Sequence, residues 1–423
     1  MLQELSKLPS PIRVIITGMG AMGKGLFYQT EITPGFHCVA ISDIDMDKAL
    51  DVAVWLKRPY RIVHSTSDAM DAIRTGNLAV TDNSSIIVEC VDVDVLIEST
   101  STVVEAGKYC ETAIEKGMHI SMMNAEADLA FGPYLMDLAR KNGVVYSSCD
   151  GDQHGVIKQL HDEMVLWGFK PVMAGNIKGF LDRYSNPVKI IPEADKRKLD
   201  YKMAAAYTDG TKLNIEMALV SNALNMKTIV PGMFGPVARE VKEVLSLYDF
   251  EKLWDGQTPF VDYILGAEPG GGVFTVGYSE NDYQRFMMNY YKMGPGPFFL
   301  FYRPYHLCHV ESLKWIARAH LHGESLLQPD FGFRTDVITY AKKDLKKGES
   351  IDGIGGFCCY GMIENMGENS LRGLPICLSE GKKLLRDIRK DEKIGLNDVT
   401  WENTDHGMEM YFKAFKGGEI ELV

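Results

Sequence analysis

The sequence predicts an α/β protein that begins with a doubly wound parallel sheet. Over the first 150 residues, short apolar runs alternate with helical stretches, a pattern that is typical of βαβ units. A glycine-rich turn follows the first apolar run directly, and a carboxylate follows the second. After about Asp150 the alternation is lost, and prolines, glycines and aromatic residues become frequent. This change in composition and pattern predicts a second domain of the α+β type.

The strand candidates of the first domain are short runs of apolar and β-branched residues. They lie at residues 12–17, 38–42, 93–97, 119–123 and 144–147. The clearest helical stretches between them cover residues 104–116 and 134–142. Because parallel neighbours need crossover connections of this length, the order of elements predicts a parallel sheet with helices on its faces.

A glycine-rich motif separates the first strand candidate from a helical pattern. Its residues are Gly18, Met19, Gly20, Ala21, Met22 and Gly23. The first glycine permits a tight turn, the second lets the backbone approach a pyrophosphate, and the third allows helix and strand to pack closely. The amide groups at the start of the helix then face negative charge. The motif predicts a dinucleotide-binding Rossmann domain; the alternative is a glycine-rich turn without a ligand.

Polar residues at the ends of the other strand candidates extend this predicted cofactor site. Asp43 lies 20 residues after Gly23, where a carboxylate can bind ribose hydroxyls. It repels a 2′-phosphate and so favours NAD, although the sequence leaves NADP open. Ser99, Thr100 and Asn124 follow later strands and are expected near the nicotinamide, with helix capping as the alternative.

The second domain contains the candidate catalytic residues. Asp209 and Gly210 form a predicted turn, which would place Lys212 in the first turn of a helix with Glu216 four residues later on the same face. Lys212 is the first candidate for the acid that protonates an alkoxide, and Lys178 is the second. The alternative for Lys212 and Glu216 is an exposed ion pair of small value.

Further polar residues are candidates for binding the substrate. They are Glu126, Asp182, Arg183, Asn214, Arg303 and His306. The two arginines, with Lys178, could hold a carboxylate or phosphate. His306 and His309 are three apart in a predicted helix over residues 304–322, but no loop supplies further ligands at an informative spacing. The sequence therefore predicts no metal site.

We expect three domains, covering residues 1–150, 151–330 and 331–423. The helix at 304–322 should pack back on the first domain. The last domain is expected to be small, β-rich and separable, because the cofactor and substrate motifs precede it. It contains a weak internal repeat, since segment 344–351 resembles segment 387–394. Two similar loops suggest a pseudo-symmetric interaction module; the alternative is chance similarity of two surface turns.

Charge and composition exclude several classes of protein. The net charge of −12 argues against a non-specific nucleic-acid binder, which needs clustered basic residues. No apolar run reaches the ~18 residues of a membrane span, and the first ten residues lack the apolar core of a signal peptide. The eight cysteines are scattered, as expected of reduced thiols. We expect a cytoplasmic homo-oligomer with a small-molecule substrate.

Longer motifs give the chain a family resemblance. They are segments 16–23, 122–128, 151–153, 209–218, 302–307, 341–348 and 373–375. With these the chain resembles the homoserine dehydrogenase-like oxidoreductases that carry a C-terminal SAF domain, and the resemblance covers nearly the whole chain. It implies a Rossmann domain, an α+β substrate domain and a SAF-like domain from residue 331. One branch of this family resembles 1-deoxy-D-xylulose 5-phosphate reductoisomerase and uses NADPH.

The resemblance implies hydride transfer between NAD or NADP and a small polar aldehyde or ketose, with or without a phosphate. A reductoisomerase would add a rearrangement of the carbon skeleton. A true homoserine dehydrogenase is an alternative, although those enzymes have a lysine where Glu126 stands in this sequence. A nucleotide-sensing protein without catalysis, using the SAF-like domain for interaction, is the alternative of another class.

Overall fold

A computed structural model describes residues 1–197, 199–367, 373–400 and 405–415 of the chain. These residues form two compact units. Unit 1 comprises Met1–Gly155, Leu307–Gln328 and residues 409–415, and unit 2 comprises Val156–His306 and the described part of Pro329–Met408. The chain therefore enters each unit more than once. None of the described helices has the length and apolar character needed to cross a bilayer.

Unit 1 is built on a seven-stranded sheet in which all neighbours are parallel. Its strands are β1 (Ile12–Thr17), β2 (Phe36–Ser42), β3 (Tyr60–Ile62), β4 (Leu78–Thr81), β5 (Val95–Glu98), β6 (His119–Met122) and β7 (Tyr146–Ser148). The order β3-β4-β2-β1-β5-β6-β7 reverses direction between β1 and β5, which is where such sheets open a crevice for ligands. The predicted α/β fold with a doubly wound parallel sheet is confirmed.

Seven helices lie within residues 1–141 of this unit. They are α1 (Leu2–Leu5), α2 (Ala21–Ile32), α3 (Met46–Trp55), α4 (Thr66–Arg74), α5 (Ser84–Val88), α6 (Val104–Glu115) and α7 (Ala125–Lys141). The longest is α7, which begins nine residues before the helical stretch that the sequence predicts and contains Pro133. The core of unit 1 joins β-branched residues of β1 and β2 to apolar residues of α2 and α3.

Unit 2 is built on a five-stranded mixed sheet of order β12-β11-β8-β10-β9. Its strands are β8 (Lys170–Lys178), β9 (Lys227–Thr228), β10 (Phe260–Leu265), β11 (Val273–Tyr278) and β12 (Phe298–Arg303). Helix α8 (Gln153–Leu166) precedes β8 and belongs to unit 2 from Val156 onward. The helices between the strands are α9 (Ile191–Arg197), α10 (Tyr201–Thr208), α11 (Thr211–Leu224), α12 (Val244–Leu247), α13 (Phe250–Leu253) and α14 (Asp282–Tyr290). One face of the sheet packs an apolar core against α12 and α13.

The predicted helix at residues 304–322 is replaced by two helices. They are α15 (Cys308–Glu311) and α16 (Leu313–His322), and both belong to unit 1. The break lies at Ser312, whose hydroxyl bonds to the carbonyls of Cys308 and Asp150. His306 precedes α15, so His306 and His309 do not share a helix, contrary to the sequence prediction.

The C-terminal part of unit 2 consists of short pairs of strands. They are β13 (Thr335–Ala341) with β14 (Cys359–Asn365) and β15 (Lys383–Leu384) with β16 (Val399–Thr400), before α17 (His406–Ala414). Two amides of β14 are bonded to side chains of α11: Gly361 N–H donates to Thr211 Oγ1 at 2.9 Å, and Ile363 N–H donates to Asn214 Oδ1 at 2.8 Å. The structure thus divides the chain differently from the three domains drawn from the sequence.

The two repeat segments, 344–351 and 387–394, pair with each other in an approximately symmetric way. Leu345 and Ile388 exchange backbone hydrogen bonds of 2.8 and 3.0 Å. Asp344 Oδ1 accepts from Lys390 N–H at 2.8 Å, and Asp387 Oδ1 accepts from Lys347 N–H at 2.9 Å. Because equivalent aspartates receive equivalent lysine amides, the repeated sequence corresponds to a repeated structure.

Candidate functional site

The glycine-rich loop of unit 1 lies between β1 and α2, at the point where the strand order reverses. Gly18 has φ +83°, and a Cβ there would lie 2.7 Å from the carbonyl oxygen of Ser99. A Cβ at Gly23 would lie 1.8 Å from the carbonyl oxygen of Gly18. These two glycines are therefore required by the loop's own packing.

Gly20 differs from the other two glycines. It precedes α2 directly, and a Cβ built on it meets no atom within 4 Å. Ala21 and Met22, which open the helix, are exposed with it. The start of α2 has no side-chain cap, so its first amide groups can turn to an anion. The loop therefore fits a pyrophosphate at Gly20.

Asp43 follows β2 and belongs to the same loop structure. Its Oδ2 accepts from Met19 N–H at 2.6 Å, and its Oδ1 accepts from Asp45 N–H at 2.9 Å. The carboxylate therefore fixes the loop conformation and stays half-buried beside it. The predicted ribose contact would have to be made by oxygens that already accept these two bonds.

The polar residues after β5 and β6 are held by bonds within unit 1. The hydroxyl of Ser99 lies 2.8 Å from the Thr17 carbonyl and 2.9 Å from the Gly18 carbonyl, which ties β5 to the glycine loop. Asn124 caps α7, accepting from Ala127 N–H at 3.0 Å, and its amide donates to Thr102 O at 2.8 Å. For Asn124, the structure shows the capping arrangement that was the alternative to a ligand contact.

Glu98, the last residue of β5, is a buried carboxyl at this edge. Thr100 donates to its Oε1 from both N–H, at 3.0 Å, and hydroxyl. Its Oε2 is buried without a hydrogen-bond partner among the described residues. Burial raises the pKa of Glu98 to about 8, against the hydrogen bonds from Thr100, Asn124 and Thr17. Glu98 is therefore held in the protonated form at neutral pH.

In unit 2, α11 begins at Thr211 after a left-handed Gly210 with φ +88°. Asp209 Oδ1 accepts from Thr211 N–H at 2.8 Å, and Asp209 Oδ2 lies 2.8 Å from Lys342 Nζ. Burial raises the pKa of Asp209, and the Lys342 ammonium opposes this rise. Lys342 also donates to the carbonyls of Ser185, at 2.6 Å, and Gly356, at 2.8 Å. Asp209 thus has a structural partner that the sequence did not predict.

Lys212 and Glu216 are both buried, with 7% and 4% of their surface exposed. The alternative of an exposed ion pair is therefore wrong. Lys178 ends β8, and its Nζ donates to the carbonyl of Tyr207 at 2.8 Å. Burial lowers the pKa of Lys178, while the carboxylates of Glu216 and Asp209 act in the opposite direction. The structure brings these predicted residues together around the start of α11.

The predicted substrate-binding residues of unit 2 have different contact partners. The side chain of Asn214 is hydrogen-bonded within unit 2: its Oδ1 accepts from Ile363 N–H, and its Nδ2 donates to Gly210 O at 2.7 Å. Asp182 accepts from Tyr184 N–H at 3.0 Å, and the Arg183 guanidinium lies 5.3 Å from the centre of the Tyr360 ring. Both ends of the Asn214 amide are thus bonded within the fold, and its predicted contact with a substrate stays a prediction.

The remaining candidates have separate surroundings. The Arg303 guanidinium lies 4.5 Å from the centre of the Tyr305 ring. His306 Nδ1 lies 2.6 Å from the carbonyl oxygen of Gly271 in unit 2. His309 packs against α2 in unit 1, so close that a Cβ at Gly25 would lie 2.5 Å from its ring. Glu126 is buried in the first turn of α7.

Parts of the chain are similar in fold to solved oxidoreductases. A probable dehydrogenase from Thermotoga maritima is 12% identical, with a TM-score of 0.43 over 75% of this chain and 92% of that one. Biliverdin reductase from Synechocystis sp. PCC 6803 is 15% identical, with a TM-score of 0.30 over 42% of this chain and 49% of that one. The 1-deoxy-D-xylulose 5-phosphate reductoisomerase from Zymomonas mobilis is 16% identical, with a TM-score of 0.36 over 49% of this chain and 57% of that one. The chain thus spans about half the length of the last two proteins.

A family model matches the middle of the chain in sequence. No curated protein matches the chain in sequence. The segment that contains Lys178, Asp209, Lys212 and Glu216 does match a family. Residues 151–312 are similar to the catalytic domain of oxidoreductase DRL.

Proposed function

We propose that the chain is an NAD(P)-dependent oxidoreductase that reduces or forms the carbonyl of a small polar aldehyde or ketose. The observation that carries this proposal is the open space at Gly20, at the start of α2 and at the switch point of the sheet. In this position the loop would hold the pyrophosphate of NAD or NADP. The match of residues 151–312 to an oxidoreductase catalytic domain supports the reaction class.

In this proposal the nicotinamide supplies or accepts the hydride, and unit 2 handles the substrate and the proton. Lys212 is the acid that gives its proton to the alkoxide, and Lys178 assists in binding the substrate. Glu216 orients these two ammonium groups, since it is buried and attracts Lys178. Asp209, held by Lys342 at 2.8 Å, fixes the turn from which α11 begins.

The proposal is tested by cofactor titration and turnover. We expect NADH or NADPH to bind, and to be oxidised with a panel of hydroxy-aldehydes and ketoses. Product analysis would show whether the carbon skeleton rearranges, as in a reductoisomerase. Lys212→Met should lower kcat by at least ~100-fold with little change in cofactor affinity. Lys212→Arg should not restore activity, because a guanidinium keeps its proton.

The control for these variants is Lys252→Met, which removes a lysine of unit 2 that is 83% exposed and pairs with Asp249 at the surface. It should leave turnover unchanged. Near-normal turnover by Lys212→Met would remove Lys212 from the mechanism and leave Lys178 as the lysine candidate. A folded protein that binds neither dinucleotide would contradict the proposed function.

A further inference from the structure

Helix α14 of unit 2 presents a stripe of aromatic side chains to solvent. None of its residues is buried, and the exposed fractions of Tyr283, Phe286 and Tyr290 are 73%, 68% and 68%. These three residues are spaced three and four apart, so they lie on one face of the helix. The opposite face carries Met288, which packs against apolar residues of α8 and β12. The helix is therefore attached to unit 2 by one face, and its aromatic face is uncovered.

Further exposed apolar side chains lie beside this stripe. The ring of Tyr291 is centred 5.2 Å from the ring of Tyr290. Gln284 Nε2 donates to the Trp167 carbonyl at 2.9 Å, which holds the end of α8 next to α14. Trp167 and its neighbour Leu166 are themselves exposed. We call these six residues the aromatic patch: Leu166, Trp167, Tyr283, Phe286, Tyr290 and Tyr291.

The aromatic patch is larger than the apolar patches that soluble monomers usually expose. Each of its members is at least half exposed. Because a large aromatic side chain offers about 150–250 Å² for burial, the patch presents on the order of 700 Å². Monomers rarely expose contiguous apolar patches of more than a few hundred Å², whereas a protein interface of standard size buries about 800 Å² on each partner. The patch therefore has the size of one side of a stable interface.

The aromatic stripe of α14 is nearly symmetric about Phe286. Along the helix axis, Tyr283 lies about 4.5 Å to one side of Phe286 and Tyr290 about 6 Å to the other. If two copies of α14 met in antiparallel orientation about a twofold axis at Phe286, Tyr283 of each copy would lie beside Tyr290 of the other. A twofold interface requires a surface that is complementary to itself in this way. The symmetry of the stripe therefore favours a second copy of the chain over an unrelated protein.

The charges at the two ends of α14 fit the same arrangement. Asp282 opens the helix and Lys292 follows its end, and both are exposed. In the antiparallel pair, Asp282 of each copy would lie near Lys292 of the other, so that opposite charges meet twice. A membrane surface fits less well, because helices that lie on membranes carry a polar face rich in basic residues. The only basic residue within α14 is Arg285, and the net charge of the chain is −12.

We propose that the aromatic patch is the surface through which two copies of the chain form a twofold-symmetric dimer, with Phe286 of both copies at the axis. The aromatic rings supply the buried area, and the tyrosine hydroxyls stay in contact with water at the border of the interface. The pairing of Asp282 with Lys292 fixes the antiparallel orientation. This inference concerns assembly and does not depend on the proposed function.

The first test measures the association state of the full chain by analytical ultracentrifugation. We expect the wild type to be a dimer at micromolar concentration. Phe286→Glu places two carboxylates against each other at the axis and should raise the Kd of the dimer at least ~100-fold. Its far-UV circular dichroism should not change, because residue 286 is exposed in the single chain.

The matched control is Phe180→Glu, which changes a phenylalanine of unit 2 that is 69% exposed and lies outside the patch. It should leave the dimer intact. A monomeric wild type would overturn the proposal. So would a dimer that Phe286→Glu does not weaken, or one that Phe180→Glu weakens equally.

The second test examines the antiparallel orientation by reversing charges. Asp282→Lys should raise the Kd of the dimer about tenfold, because two like charges then meet at each end of the helix pair. Adding Lys292→Asp to this variant should restore the Kd towards that of the wild type. Aspartate suits the position, since residue 292 has φ +64°, a conformation that aspartate adopts more readily than most residues. A double variant that dissociates as readily as Asp282→Lys would overturn the proposed arrangement.

The third test compares the dimer with a membrane as the occupant of the patch. The wild-type chain is mixed with vesicles of phosphatidylcholine and phosphatidylserine, and the vesicles are recovered by flotation. We expect the chain to stay in solution as a dimer. Flotation of the wild type that is lost in Phe286→Glu and kept in Phe180→Glu would assign the patch to a membrane surface and overturn the proposal.

Discussion

At the scale of single residues, Gly20 and Gly23 show how one motif combines binding and packing. A Cβ at Gly20 meets no atom within 4 Å, whereas a Cβ at Gly23 would lie 1.8 Å from the Gly18 carbonyl oxygen. Gly20→Val should therefore leave the Tm nearly unchanged and raise the Kd for NADH and NADPH at least ~100-fold, because the side chain fills the pyrophosphate path. Fluorescence titration and thermal unfolding measure the two effects.

The contrasting variant is Gly23→Ala, in which the loop itself must move. We expect a clear loss of Tm there, together with the loss of binding. If a folded Gly20→Val chain binds dinucleotide as well as the wild type, the loop is a turn without a ligand.

Glu98 gives a prediction about pH. Its pKa is raised to about 8 by burial, above the ordinary value of 4.5, so the folded chain keeps a proton that the unfolded chain releases. Stability therefore falls as pH rises from 4.5 to about 8, by about 1.4 kcal/mol per pH unit for this group, and no further above that. Glu98→Gln cannot ionise, so between pH 7 and 9 its Tm should fall less than that of the wild type.

Asp128 also loses stability as pH rises, but it does not contribute to the Tm change between pH 7 and 9. Burial raises its pKa to about 6, so its contribution is complete before pH 7. Equal Tm changes for Glu98→Gln and the wild type between pH 7 and 9 would show that Glu98 is ionised in the folded chain.

At the scale of elements, the sequence predicted five of the seven strands described in the unit 1 sheet. β1 has the predicted bounds, and β2, β5, β6 and β7 differ from prediction by one or two residues at their ends. Their apolar runs are long enough to be distinguished. Two strands, β3 and β4, were not predicted, and β3 is exposed, with no apolar run to mark it.

The sequence predicts the candidate site only where residues adjacent in the chain determine its structure. The turn before α11 follows from the sequence Asp209-Gly210-Thr211, and the structure has it. The partners of Asp209 and Asn214 are Lys342 and Ile363, which are more than 100 residues away in the sequence. Such pairings depend on the tertiary fold. A polar residue that serves the fold and one that serves a ligand look alike before their partners are known.

At the scale of the whole molecule, the order of motifs along the chain is the basis of the three-domain prediction. The cofactor and substrate motifs precede residue 330, which suggested a separable C-terminal domain. In the structure, however, the described part of Pro329–Met408 forms one compact unit with Val156–His306. The repeat segments 344–351 and 387–394 thus pair with each other within a larger unit. Their role as an interaction module stays a prediction.

This arrangement predicts that a chain ending at Gln328 will not form a stable unit 2. The truncation removes Lys342 from the buried Asp209 carboxylate and Ile363 N–H from Asn214 Oδ1. Breaking a buried ion pair on one side alone costs about 3–5 kcal/mol, a large share of typical stability. We expect weaker far-UV circular dichroism and rapid proteolysis within residues 156–306, and Lys342→Met in the full chain should lower the Tm in the same direction. If the truncated chain keeps a cooperative transition and resists proteolysis, the C-terminal segment is separable, as its sequence alone suggests.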